Sequence, residues 1–88
     1  MIKVVLYGKP NCHLCEQALG VIEAARTLHP FELTVVNILN DWDAYERFKH
    51  DIPVTFLNGV EFARHRLDAH SFTTAIAWST TTHRQSGL

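Results

Sequence analysis

Apolar and polar positions follow two periods along this chain, and the changes of period mark out its elements. Residues 2–7 (Ile2, Lys3, Val4, Val5, Leu6, Tyr7) form a short apolar run rich in β-branched side chains, closed by Gly8-Lys9-Pro10-Asn11. Such a run bounded by turn residues predicts a buried strand. The period then changes: Leu14, Ala18, Val21, Ile22, Ala25 and Leu28 recur at helical spacing, with Glu16, Gln17, Glu23 and Arg26 opposite them. This predicts an amphipathic helix with Asn11 as its N-cap and Pro30 as its stop. Gly20 inside it lowers local propensity but leaves the period intact.

A second strand is expected over 31–39, where Phe31, Leu33 and Val35 alternate with Glu32 and Thr34 before the pattern turns apolar throughout. Asn40-Asp41 then opens a short helix whose expected inward face is Trp42, Tyr45 and Phe48. Pro53 follows the polar link Lys49-His50-Asp51 and starts a third strand over 54–57. Asn58-Gly59 is a strong hairpin signal, because a type I′ turn needs positive φ at both central residues. A fourth strand, 60–65, therefore runs antiparallel to the third. Asp68 caps a last helix with Ala69, Phe72, Ala75, Ile76 and Trp78 facing inward. The order is β-α-β-α-β-β-α, an α/β fold with a four-stranded mixed sheet and helices on both faces. Residues 1–78 form the domain, and 79–88 are expected to be a flexible polar tail.

Composition narrows the classes. Eighty-eight residues, 47% apolar and 19% charged, suit one globular domain with a modest core. A net charge of −1 gives no basic footprint, so no nucleic-acid partner is expected. The apolar start is too short for a signal-peptide core or a membrane span. Two cysteines are too few for a secreted disulfide scaffold. A cytoplasmic monomer with no membrane partner is the expectation.

Those two cysteines stand together in Cys12-His13-Leu14-Cys15, where the first helix begins. This spacing suits a reversible disulfide or half of a metal site. The helix N-terminus favours the first: its unpaired N–H groups and dipole stabilise a thiolate at Cys12. Cys15, one turn deeper on the same side, is placed to resolve a mixed disulfide formed by Cys12. No second Cys-x-x-Cys exists, and His13, His29, His50, His65, His70 and His83 show no paired spacing with the cysteines, so no metal is expected. Lys9 can bring an ammonium near the Cys12 sulfur and support the thiolate. His13 is a candidate modulator, although the helix N-terminus disfavours its cationic form. Tyr7 is a candidate to pack beside the active-site loop, but a strand-end tyrosine is more often core.

The strand, the Cys-x-x-Cys at a helix start and a later proline entering a strand together resemble the thioredoxin fold. Within it, Tyr7, Lys9, Pro10, Cys12 and Cys15 match the Tyr-x-Lys-Pro-x-Cys-x-x-Cys pattern of glutaredoxins. The resemblance implies a thiol–disulfide oxidoreductase in which Cys12 attacks and Cys15 resolves. It also implies a cis bond at Ile52-Pro53, which would leave the Ile52 backbone free to pair with a substrate, and a helix start at Asp68 facing glutathione. The match fails further on. Glutaredoxins that use glutathione carry a Gly-Gly pair after the fourth strand, and residues 62–68 here contain no glycine. No tightly bound cofactor is expected, and the missing pair argues against glutathione as co-substrate. Expected partners are a disulfide-bearing protein or small molecule, with a reductase or glutathione as electron donor. Two other classes compete: a non-catalytic binding module using Ile52, Pro53 and the basic cluster Arg64, His65 and Arg66, and a metal or iron–sulfur carrier.

Overall fold

The computed structural model describes residues 1–85, with side chains to residue 80. Strand β1 (Lys3–Gly8), the first apolar run of the sequence, is an interior strand of the sheet. Its parallel neighbour is β2 (Glu32–Asn37), and its antiparallel neighbour is β3 (Val54–Leu57). Strand β4 (Val60–Arg64) pairs antiparallel with β3, giving the order β2-β1-β3-β4. Asn58 and Gly59 adopt φ values of 50° and 82°, the two positive values that a type I′ hairpin requires. The Asn58 N–H donates to the Lys3 carbonyl at 2.8 Å, and the Lys3 N–H donates to Asn58 Oδ1 at 2.9 Å. The turn thus also fixes the near end of β1.

Alternation along β1 divides the interior in two. Val4 and Leu6 face helices α1 (His13–Leu28) and α3 (Ala69–Gln85), packing with Ala18, Ile22, Ala25, Phe31, Phe72 and Ile76. Tyr7 faces the other way, toward α2 (Trp42–Phe48), where Ile38, Ala44, Phe48 and Val54 form a second buried cluster. Helices therefore cover both faces. No helix among the described residues is long and apolar enough to cross a membrane.

Several boundaries differ from the sequence reading. The second strand ends at Asn37, whose side chain accepts the Leu39 N–H at 2.9 Å and starts a 3₁₀ turn over Ile38–Asn40. Trp42 is not inward: it is 76% exposed and stacks on Tyr45. The capped helix begins after Asp41, so Phe48 faces inward and Tyr45 packs partly inward, as expected, while Ala44 rather than Trp42 completes the buried face. Val35 is 54% exposed because β2 is an edge strand and α1 leaves that position uncovered. Leu28 and Trp78 are exposed as well. Helix α3 continues past Trp78, since the Ser/Thr run contains no breaker and Thr80 Oγ1 donates to the Ile76 carbonyl within the helix. Residues 86–88 of the expected tail lie outside the described residues.

Candidate redox-active site

The loop leaving β1 delivers both cysteines to the start of α1. Asn11 adopts φ 60°, a left-handed turn open to asparagine at modest cost. It therefore cannot serve as N-cap, and that role passes to Cys12. Cys12 has extended backbone, its Sγ accepts the Cys15 N–H at 3.2 Å, and its carbonyl accepts the Glu16 N–H at 3.0 Å. The sulfur therefore takes the place of a capping oxygen. Cys12 and Cys15 are joined as a disulfide, with Cα atoms 5.2 Å apart. Cys12 is half-buried and Cys15 buried, so the first sulfur is the accessible one.

Gly8 is what lets the pair sit there, a role that sequence reasoning missed. It lies on the same face of β1 as Val4 and Leu6, beneath the helix. A β-carbon at this position would stand 3.0 Å from Cys15 Sγ and 3.2 Å from Cys15 Cβ. The available signal was a glycine ending the first apolar run immediately before the motif.

Pro53 arrives at the same end of the sheet. Tyr7 pairs with Val54, so the register carried one step further sets Pro53 beside Gly8. The Ile52-Pro53 bond is cis, Pro53 is buried, and Ile52 packs on the second cluster. Lys9 is exposed and lines a hollow of about 250 Å³ with Cys15, Glu16, Leu19 and Val35.

The remaining candidate residues spread out. Tyr7 packs against Phe48 at 4.7 Å and Phe56 at 5.6 Å between ring centroids, as a member of the second cluster. His13 is exposed, and its Nε2 lies 3.0 Å from Gln17 Nε2, one helical turn further on. Asp68 caps α3: its Oδ2 accepts the Ser71 N–H at 2.8 Å. That bond, reinforced by the Ser71 side chain and His70, holds its carboxyl below the usual carboxylate range. Asp68 also borders a hollow between α1 and the β4–α3 link, together with Leu14, Gln17 and Arg66. Among the described residues no three His, Cys, Asp or Glu side chains are placed to share a metal ion.

Arg64 is held by Glu61, at 2.6 and 2.9 Å, and by Asp51 at 2.6 Å, contacts that push its pKa further up. Among the described residues, neither Asp51 nor Glu61 carried a sequence signal for this role. His65 occupies the left-handed region, at φ 65°, where glycine costs least. The turn geometry that favours glycine is thus present here without the glycine.

A four-stranded mixed sheet of order β2-β1-β3-β4, with an N-capping Cys-x-x-Cys at the start of α1, is the architecture of the thioredoxin fold. Thioredoxin 1 from Thermosipho africanus superposes with a TM-score of 0.70 at 11% identity, covering 94% of this chain and 99% of that one. The protein Ne2328 from Nitrosomonas europaea matches with a TM-score of 0.71 and 27% identity over 85% of this chain and 91% of its own. Target protein XcR50 from X. campestris matches at 0.62 and 22% over 84% and 95%. Residues 3–77 match the model of the Glutaredoxin-like domain (DUF836) family. The chain belongs to that glutaredoxin-like family, and its Cys-x-x-Cys pair supports a redox role.

Proposed function

We propose that this protein is a dithiol–disulfide oxidoreductase of the cytoplasm, reducing disulfides in proteins or small molecules. The observation that carries the reading is the placement of Cys12 Sγ as the N-cap of α1, disulfide-linked to the buried Cys15. In the reduced protein, the Cys15 N–H and the helix dipole favour a thiolate at Cys12, and the Lys9 ammonium adds charge support. That thiolate attacks one sulfur of the substrate disulfide. The substrate S–S bond breaks, a Cys12–substrate disulfide forms, and the departing thiolate takes a proton. Cys15, as thiolate, then attacks Cys12 Sγ and releases the second substrate thiol, leaving the Cys12–Cys15 disulfide. Two electrons and two protons reach the substrate, and a dithiol reductant or two thiols restore the pair. The Ile52 backbone and Pro53 border the substrate, with Tyr7 beneath them and Asp68 at the far rim.

The test is reduction of a model disulfide with two donors, glutathione plus its reductase and thioredoxin reductase. Turnover with one donor, abolished by Cys12→Ser, is the expected result. Rapid alkylation of reduced Cys12 near neutral pH should accompany it. A Cys12 that alkylates no faster than free cysteine, in protein that turns over with neither donor, would overturn the reading.

A further inference from the structure

The link between α2 and β3 runs from exposed Lys49 and His50 through half-buried Asp51 and Ile52 to buried Pro53, and Arg64 and His65 at the end of β4 tie it down at several points. Arg64 Nη1 reaches Asp51 Oδ2 at 2.6 Å. The His65 N–H donates to the Pro53 carbonyl at 2.8 Å, and His65 Nε2 donates to the His50 carbonyl at 3.3 Å while lying 3.8 Å from Asp51 Oδ1. Arg64 is itself fixed by a two-bond fork to Glu61. The other end of Asp51 is secured as well, because its N–H donates to the Phe48 carbonyl at 2.8 Å.

Exposed ion pairs contribute little to stability, and the two apolar clusters already hold the sheet. What a bidentate guanidinium supplies is fixed geometry. Here the segment held in place is the one that carries Ile52 and Pro53 to the disulfide end of the sheet. We infer that Arg64 is a positioning residue, clamping Asp51 so that the Ile52 backbone presents one geometry to an extended polypeptide bearing the disulfide. This rests on the oxidoreductase reading above. A substrate that pairs along the backbone depends on that geometry, whereas a compact disulfide meeting only Cys12 depends on it less.

The experiment compares wild type, Arg64→Met and Arg64→Lys on an extended peptide disulfide and on 2-hydroxyethyl disulfide. Amide exchange at His65 and at Ile22 is followed in the same proteins. In Arg64→Met the ratio of kcat/KM for the peptide to that for the small disulfide should fall about fivefold, mainly through KM. Arg64→Lys should fall in between, because it keeps the charge but loses the fork. The His65 amide should exchange several-fold faster while Ile22, in the core, does not change. An unaltered ratio, or equal losses on both substrates with faster exchange at Ile22, overturns the positioning role alone. Wild-type protein that reduces neither disulfide overturns this role together with the oxidoreductase reading.

Discussion

The β-carbon that Gly8 lacks would stand 3.0 Å from Cys15 Sγ, on a side chain fixed by its own helix. Gly8→Ala would remove some unfolded-chain entropy, which by itself stabilises by about 0.4–1 kcal/mol. Overpacking at such a contact costs about 1–3 kcal/mol, so the net effect is destabilising. A lower urea midpoint at unchanged slope is the expected measurement; an unchanged or higher midpoint would show that the helix start yields freely. The same scale shows where reading residues one by one stops. Asn11 has the side chain of a good N-cap, but its left-handed backbone turns the chain and the sulfur of Cys12 caps instead. Both residues are plausible caps in isolation, and only the path of the loop chooses between them.

Among the elements, α3 starts on a carboxylate cap that the fold holds below its usual range. The folded pKa of Asp68 is depressed, first by the Ser71 N–H, so the unfolded chain binds more protons as the carboxyl titrates. Its stabilising contribution is therefore complete above the unfolded value, about 3.9, and is lost as pH falls through the lower folded value. Asp68→Asn preserves a capping oxygen and removes the charge. The urea midpoints of wild type and variant should differ at pH 7 and converge in the acid range. A difference that persists at the acid end would mean the charge is not its source. The element pattern was otherwise well exposed by the sequence where it was local: the Asn58-Gly59 turn sets its own φ values, and the sixteen-residue α1 repeats its apolar period several times. The seven-residue α2 is too short to define a phase, so its apolar spacing places Trp42 on the wrong side.

For the molecule as a whole, the sheet order and both covered faces were legible because the crossover rule and the hairpin leave few alternatives. The clamp on the proline-bearing link was not. Asp51 and Arg64 meet only because β4 lies beside β3 with Arg64 opposite Val54, a relation no local pattern encodes. The β-bulge between Thr55 and Phe56 is equally non-local, shifting the pairing so that Glu61 rather than Phe62 faces Phe56. The surface position of Trp42 and Trp78, at 76% and 67% exposed, has an optical consequence. They are the chain's two tryptophans, so both indoles already sit in water before the fold is lost. Tryptophan emission should shift little on unfolding in urea, while far-ultraviolet circular dichroism records the full transition from two helix-covered faces to coil. A large red shift coincident with the dichroism change would instead place one indole in the interior. By tryptophan fluorescence alone, this protein will look quiet while its core comes apart.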